Sequence, residues 1–540
     1  MNRAPLRIVP KPPPPDDGGP SLRPEVRITH TSRAENVDAL DAAFFALPDA
    51  YQRSLQLVEV VVETRPGLVA QGTPVIRPLN QHSLGTLIDR HLRCMKWHEG
   101  TRTDPLSEWR ECAVPVDVAL LPMLHCGRWR TPRPISAIVE SPFLRPDWAI
   151  WQTAGYDPGT GYLYRPNATF PTVPENPTQE DGRTALLSLQ HVFCDFPYTS
   201  AAAAAVPIAC LLTILARAAI NGNVPLFMFE ASVQGSGKTK QGDAVHVIAT
   251  GRLPAHSSFP QDEDEQRKEL LGMALSGAPV YFLDNVKGLF GGAPLEAVLH
   301  TAELRQRVLG QTEQAVVRWL PVVIVTGNNM RPTRDILRRS LVSRLEPDVE
   351  DPTKGRTFQH HPLLPWVFAE RERLIVAALT VLRAYACKGC PDTGAGNMES
   401  CDEWSRLVPG AIMFAGGPNV LDAIGQAEDA GTDDAEAVAC IIRELPRLSI
   451  EPLTAKAIIQ AVYPAPRHDE EPDGWDDFRT ALEAIAPTRN GAAPTPKALG
   501  DALGSFKGQV SSGSRLVRRF LHGSRRWSVE SVRRPTDAGT

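Results

Sequence analysis

PLFMFEASVQGSGKTK, residues 225–240, is the stretch that decides the fold. Its first seven residues are an apolar run typical of a buried strand, and the residues from Lys240 to Thr250 predict a helix. A strand, a glycine-rich turn and a helix in this order predict a phosphate-binding loop. The usual pattern, G-x-x-x-x-G-K-[ST], has glycine where this chain has Ser232. A serine fits there unless its φ must be positive, which would cost about 1 kcal/mol or more.

The glycine-rich turn supplies the parts of a nucleotide site. Its two glycines, Gly235 and Gly237, let backbone N–H groups turn toward phosphate oxygens. Lys238 is expected beside the β and γ phosphates, and the Thr239 hydroxyl in the coordination shell of Mg²⁺. We therefore expect ATP and Mg²⁺ as cofactors, with a chance match in a flexible loop as the alternative. The predicted nucleotide-binding residues are Gln234, Gly235, Ser236, Gly237, Lys238, Thr239 and Lys240.

Two later strands end in polar residues that suit the same site. APVYFLDN, residues 278–285, carries Asp284, which we predict to be a catalytic carboxylate that holds the metal through water. PVVIVTGNN, residues 321–329, carries Asn328, which we predict to orient the attacking water or contact the γ phosphate. The alternative for both is an ordinary polar residue at a turn. Strands that alternate with helices predict a parallel sheet in an α/β domain.

An arginine-rich segment, RPTRDILRRSLVSRLEP, follows at residues 331–347. An arginine here could reach the γ phosphate bound to a neighbouring subunit and stabilise developing charge. We favour Arg344 for this role, with Arg339 second. The alternative is a solvated basic face.

The order GSGKT, FLDN, VIVTGNN and LRRSLVSRLEP resembles the ring-forming superfamily 3 helicases of the AAA+ class. It is more closely similar to the helicase modules of phage and mobile-element primase-helicase proteins. The resemblance implies that Lys238 and Thr239 bind nucleotide and magnesium, with Asp284 as the metal-side acid. It also implies that Asn328 is the sensor and that Arg344 acts on the adjacent subunit. A homohexamer that threads single-stranded or forked DNA, with a separate primase or replication partner, follows from the same resemblance.

The chain departs from that family directly after Asp284. Asn285 stands where a glutamate often acts as the base, and an amide cannot accept the proton of water. We therefore look for the base in the acidic run QDEDEQRKEL, residues 261–270, and choose Glu265. The alternative is an acidic helix start, which the helix dipole favours.

Composition indicates how the remaining chain is organised. Hydrophobic residues make up 42% and charged residues 22%, as in ordinary globular proteins. We expect a multidomain α/β protein whose P-loop AAA+ core lies between an α+β region and a winged helix. The expected units are a disordered Pro-rich tail at 1–34, an α+β collar or DNA-binding region at 35–180, the ATPase domain with its preceding helix at 181–350, a helical region at 351–435 and a basic winged helix at 436–540.

The sequence predicts a cytoplasmic protein without a membrane partner. Its nine cysteines form no framework, and we interpret the Cys387-x-x-Cys390 pair as ordinary thiols because a tetrahedral zinc needs four ligands. The N-terminus has no apolar signal core. Residues 201–220 are long enough to span a membrane, but they are rich in alanine and contain Pro207 and Arg217. We expect a buried helix there.

Two segments predict contacts with DNA. A hairpin at residues 305–319 would enter the channel of a ring, or else lie on the surface with solvated arginines. Residues 495–534 carry nine basic and two acidic residues, a net charge of +7 in a chain whose total is −5. This segment would dock on origin duplex, or alternatively on an acidic partner subunit. The residues predicted to contact nucleic acid are Arg305, Arg307, Arg318, Lys507, Arg515, Arg518, Arg519, Arg525 and Arg526.

These patterns predict an ATP-dependent DNA helicase or replication-initiation motor of a phage or mobile element. The second hypothesis is a nucleotide-switched DNA-binding regulator or defence ATPase with slow or no hydrolysis, which Asn285 favours.

Overall fold

The chain is a multidomain α/β protein with a parallel sheet and several helices. The computed structural model describes residues 23–29, 32–54, 56–62, 72–119, 129–231, 235–307, 314–346, 358–425, 432–449, 451–463, 474–486, 493–508, 510–511, 513–521 and 524–531.

The N-terminal region contains small sheets rather than one large one. Residues 25–28, which we expected in the disordered tail, form a strand, because Val26 and Ile28 alternate with polar residues and are buried. The rest of that predicted tail up to residue 22 lies outside the described residues. The strands are β1 (Glu25–Ile28), β2 (Ala50–Arg53), β3 (Gln56–Val62), β4 (Pro74–Pro78), β5 (Arg93–His98), β6 (Glu108–Cys112), β7 (Arg133–Pro134), β8 (Ala137–Val139), β9 (Phe143–Leu144), β10 (Ile150–Trp151), β11 (Gly155–Asp157) and β12 (Tyr162–Tyr164), with helices α1 (Arg33–Ala43) and α2 (Gln81–His91).

The predicted alternation of strands and helices is confirmed in the central domain. Four strands lie parallel: β13 (Leu226–Ala231), β14 (Val280–Phe290), β17 (Val322–Pro332) and β18 (Ser340–Leu345). Their order across the sheet is β14-β17-β13-β18, so β17 separates β14 from β13. A hairpin of β15 (Glu303–Arg307) and β16 (Gln314–Arg318) precedes β17, as the sequence predicts.

Both faces of the parallel sheet are buried. Phe227 and Phe229 of β13 belong to the core on one face, whereas Leu226 and Met228 belong to the core on the other. A sheet covered twice needs continuously apolar strands, which explains the runs in the sequence. The covering helices are α3 (Gln179–Val192), α4 (Ala201–Ala216), α5 (Lys238–Thr250), α6 (Glu263–Ser276), α7 (Ala293–Thr301), α8 (Arg334–Leu337), α9 (Leu363–Cys387) and α10 (Asp402–Phe414).

The apolar segment that begins at Ala201 is a core helix of this domain. An apolar window in Ala201–Ala219 is long enough to cross a membrane, but 83% of it is buried inside the protein. Its buried side chains join the core that contains Phe227.

The C-terminal region has its own core, formed by helices and a hairpin. Thr495 caps the last helix by accepting from the backbone N–H of Ala498. The hairpin strands pair antiparallel through their whole length. The elements are α11 (Thr432–Leu448), α12 (Ala455–Val462), α13 (Asp476–Ile485), α14 (Pro496–Ser505), β19 (Val510–Ser511), β20 (Ser514–Leu521) and β21 (Ser524–Ser531).

A buried arginine of α9 joins the N-terminal region to α5, the helix that follows the glycine-rich turn. Arg371 is 3% exposed. Its guanidinium donates to the carbonyl oxygen of Ile248 at 3.0 Å, to Asn167 Oδ1 at 2.9 Å and to Ser141 Oγ at 2.7 Å. Each acceptor comes from a different part of the chain, so this one side chain donates a hydrogen bond to each of three separate segments.

We expect Arg371→Ala to lower the stability of the protein by about 3 kcal/mol, because it leaves these buried acceptors without a donor. The matched control on the same helix is Arg373→Ala, whose exposed guanidinium pairs with Glu370 and whose loss should change stability by less than about 0.5 kcal/mol. Thermal unfolding of both variants by circular dichroism measures the difference. Equal melting temperatures would contradict the role of Arg371.

Candidate nucleotide site

The glycine-rich turn has the backbone conformation that its glycines allow. Gly235 has φ +82° and Gly237 has φ +92°, both in the left-handed region that favours glycine. Gly237 is the N-cap of α5, so Lys238 and Thr239 open the helix. A Cβ atom on Gly237 would lie 2.8 Å from Cε1 of Phe196, so this ring closes one side of the turn. Ser236 is buried and Lys240 exposed, while Ser232 and Gln234 lie outside the described residues.

The carboxyl edge of the sheet brings Asp284 to this helix start. The Thr239 hydroxyl donates to Asp284 Oδ1 at 3.1 Å, and the Thr326 hydroxyl donates to the same oxygen. These three side chains come from α5, β14 and β17, which the sequence places far apart. Hydroxyl and carboxylate oxygens are the ligands that Mg²⁺ prefers, so this donor set fits a magnesium ion. The helix N-terminus beside them suits the phosphates that such an ion would accompany.

Sequence reasoning missed Thr326, His256 and Asp243. Thr326 is the one hydroxyl in the apolar run VVIVT of β17, which could have marked it. His256 Nε2 lies 2.9 Å from Asp243 Oδ1, and its Nδ1 lies 3.9 Å from Asp284 Oδ2. Burial raises the pKa of Asp243, and the hydrogen bond to His256 opposes that rise. The imidazole therefore lies between two carboxylates at the edge of the site, and no spacing in the sequence indicated it.

The backbone conformation at position 285 explains why an asparagine suits it. Its φ is +55°, and the pairing of β14 with β17 shifts register between Leu283 and Val286. Asparagine tolerates this left-handed conformation better than glutamate does. Asn285 is exposed and lines a cavity of about 330 Å³ together with Asp284 and His256. The irregular strand thus favours an amide over a glutamate at this position.

The other two predicted catalytic residues on this side are Glu265 and Asn328. Glu265 is in the first turn of α6, where its carboxylate accepts from Lys268 at 2.6 Å. Among the described residues that line the cavity beside Asp284, Glu265 is not present. Asn328 lies on β17, two residues beyond Thr326, and its side chain is outside the described residues.

The two arginines proposed to act on a neighbouring subunit have different surroundings. Arg344 lies on β18 directly opposite Glu230 of β13 and donates to its carboxylate at 3.0 Å within the same chain. Action on another subunit requires release of this ion pair. The Arg339 side chain is 8% exposed and contacts Asp335 and His300 of its own chain. Because it is buried there, we do not retain Arg339 for that role.

The hairpin of β15 and β16 exposes part of its predicted basic surface. The Arg305 side chain is 71% exposed and pairs with Glu303. Arg318 instead donates to the carbonyl oxygens of Ile220 and Asn221, so it anchors the hairpin to the domain. The side chain of Arg307 lies outside the described residues.

The C-terminal hairpin extends beyond its core. Trp527 is buried opposite Arg518, but Phe520, near the end of β20, is 73% exposed. Among the described residues, no carboxylate pairs with Arg518. The remaining predicted residues have contacts within the chain or lie exposed: Arg515 and Arg519 pair with Glu530, Arg525 pairs with Asp501, Arg526 donates to the carbonyl oxygen of Pro452, and Lys507 is exposed.

No family model matches the sequence, and no curated protein matches it. One similar solved structure is the A form apo structure of the NrS-1 C-terminal region. The TM-score is 0.31 and the identity 12%, over 87% of this chain and 96% of that chain. A similarity this low does not indicate a function, so the function has to be inferred from the geometry of the site.

A half-buried histidine on α5 is expected to make the folded state sensitive to acid. Burial lowers the pKa of His246 on α5 to about 4, and its ring contacts the carbonyl oxygen of Arg252 at 2.9 Å. The unfolded chain, with an ordinary histidine pKa of about 6.5, therefore binds more protons than the folded chain as pH falls from about 6.5 to 4. The folded state loses stability through this window, by about 3 kcal/mol in total.

We expect His246→Asn, which keeps an N–H donor but does not titrate, to flatten the fall in melting temperature between pH 6.5 and 4. The matched control is His82→Asn at an exposed position of α2, which should leave the pH profile unchanged. Thermal melts at a series of pH values test this. Parallel profiles for His246→Asn and the wild type would show that His246 does not control acid stability.

Proposed function

We propose that the chain binds Mg²⁺-ATP at the carboxyl edge of its parallel sheet and hydrolyses it to move along DNA, as a helicase or replication-initiation motor of a phage or mobile element. The observation that carries the nucleotide part is the hydrogen bond from Thr239 to Asp284, which joins the start of α5 to a carboxylate of β14. The conformation of Gly235 and Gly237 supports the same site.

Each residue of the proposed site has a role that its chemistry allows. The N–H groups at the start of α5 and the Lys238 ammonium would bind the phosphates. The Thr239 hydroxyl and Asp284 would hold magnesium, which supplies charge neutralisation when it is bound. Thr326, together with Thr239, keeps the Asp284 carboxylate oriented toward the helix. Asn328, two residues further along β17, would contact the γ phosphate or its water.

Two features support DNA as the partner. The hairpin of β15 and β16 presents Arg305 on the same domain as the nucleotide site. The C-terminal hairpin presents Arg518 and the exposed ring of Phe520, a combination that suits phosphates and stacked bases. The winged-helix assignment, the AAA+ class and the homohexamer, in which Arg344 would act on the adjacent subunit, belong to the same proposal.

Asn285 favours a second candidate function. The amide cannot act as a base, and the register shift that places it in the left-handed region belongs to the backbone itself. A nucleotide-switched DNA-binding regulator would bind ATP, assemble and hydrolyse it slowly. Glu265 as the base stays a prediction in the motor proposal. Displacement of a labelled strand from a fork separates the two functions, because only the motor unwinds it.

We expect the wild-type chain to show DNA-stimulated ATPase activity and Lys238→Ala to lose it together with nucleotide binding, since the phosphates lose their cation. Lys388→Ala, at the C-cap of α9, is the control and should match the wild type. Calorimetric titration with Mg²⁺ and a non-hydrolysable ATP analogue, together with phosphate release, measures both steps. Failure of the wild type to bind the analogue would overturn the proposed function.

We expect Arg518→Ala to reduce the slope of log affinity against log salt by roughly 0.9, because one phosphate contact is lost. Phe520→Ala should weaken binding of single-stranded DNA by about 1–3 kcal/mol through lost stacking. Arg373→Ala, at an exposed position of α9, is the control. Fluorescence anisotropy at several salt concentrations gives each value. Variants that bind like the wild type would place the DNA surface elsewhere.

A further inference from the structure

Three metal-ligating side chains meet where two distant segments of the chain cross. His191 lies in the last turn of α3, Cys194 follows two residues after the helix, and His360 belongs to the segment that leads into α9. One ligand atom from each of the three lies within 4.8 Å of the others. Nothing in the proposed nucleotide or DNA chemistry uses these residues.

The position of His360 is determined by contacts on several sides. Its ring stacks on Trp366, with centroids 3.7 Å apart and an interplanar angle of 20°. Its backbone N–H donates to Asp195 Oδ2 at 3.1 Å, and its Nε2 lies 3.2 Å from the carbonyl oxygen of His191. The His191 ring meets it edge-on at 4.6 Å. The imidazole is therefore held beside Cys194 by groups other than a metal, as ligands of a prepared site are.

We propose that His191, Cys194 and His360 bind a zinc ion that clamps the end of α3 to the segment entering α9. Imidazole nitrogen and thiolate sulfur are the ligands that Zn²⁺ prefers, at about 2.0–2.1 and 2.3 Å. In a tetrahedron, bonds of these lengths place the ligand atoms roughly 3.4–3.6 Å apart. The three atoms now lie within 4.8 Å of one another, so they have to approach by up to about 1.4 Å. Since His191 and Cys194 are exposed, water can take the fourth position of the tetrahedron.

The clamp would lie close to the P-loop. The segment from residue 193 to 199 carries Phe196, whose ring abuts Gly237. The carbonyl oxygen of Pro197 accepts from the N–H of Glu346, and the N–H of Thr199 donates to the carbonyl oxygen of Arg344. An ion at Cys194 therefore fixes the start of a segment that runs between the P-loop and the exit of β18.

Cobalt titration of the chelator-treated full chain tests the site without reference to ATP or DNA. We expect one Co²⁺ per chain, with the thiolate-to-cobalt charge-transfer absorption and the visible bands of a tetrahedral ion, and displacement by Zn²⁺. Cys194→Ser should remove the charge-transfer absorption, and His360→Ala should weaken metal binding by roughly 100-fold or more. The control is Cys387→Ser, another exposed thiol, which should bind cobalt like the wild type.

A chemical measurement on the unmodified chain keeps the test independent of how the variants fold. Zn²⁺ should protect Cys194 from alkylation by iodoacetamide and leave Cys387 reactive, as peptide mass spectrometry would show. The proposal is overturned if wild-type protein binds no cobalt, if Cys194→Ser retains the thiolate absorption, or if zinc leaves the alkylation of Cys194 unchanged. Because ATP binding is not measured, these outcomes stand apart from those of the nucleotide proposal.

Discussion

The burial of both faces of the parallel sheet is the constraint on which the rest of the structure depends. Alternate residues of β13 enter two different cores, so no side chain on either face is left for chemistry. The polar site residues lie where the parallel strands β13 and β18 end, an edge that β14 and β17 pass before they end at Phe290 and Pro332. The start of α5 meets Asp284 and Thr326 there for this reason. A phosphate bound at this edge would also receive hydrogen bonds from the N–H groups at the N-terminus of the helix.

The close packing of α5 on the sheet explains why small residues recur along it. A Cβ atom on Gly242 would lie 2.7 Å from the Phe282 ring, so glycine lets the helix lie directly against β14 and β17. Gly237 has the same relation to Phe196 at the start of the helix. At its other end, Arg371 joins the helix to the N-terminal region through the carbonyl oxygen of Ile248. The glycine-rich turn is therefore supported by buried contacts at both ends and in the middle of α5.

The nucleotide site and the proposed zinc clamp share one structural element. In the segment after α3, the Phe196 ring lies against the glycine-rich turn. The backbone carbonyl of Pro197 accepts a hydrogen bond from the residue that follows β18. Arg344, whose guanidinium pairs with Glu230, is on that same exit strand.

The sequence alone determined the local elements: the strand, glycine turn and helix around Lys238, the apolar strands that carry Asp284 and Asn328, the buried helix at Ala201 and both basic hairpins. The strands themselves continue past these residues to Phe290 and Pro332, contrary to the expectation that they end there. Short-range periodicity and turn chemistry suffice for these. Only the tertiary structure decided which polar residues meet. Thr326 and His256 join Asp284, Arg339 is buried, Arg318 anchors its hairpin, and Asn285 adopts a left-handed backbone because β14 shifts register. Such contacts depend on strand order and register across the sheet, which no spacing along the chain specifies.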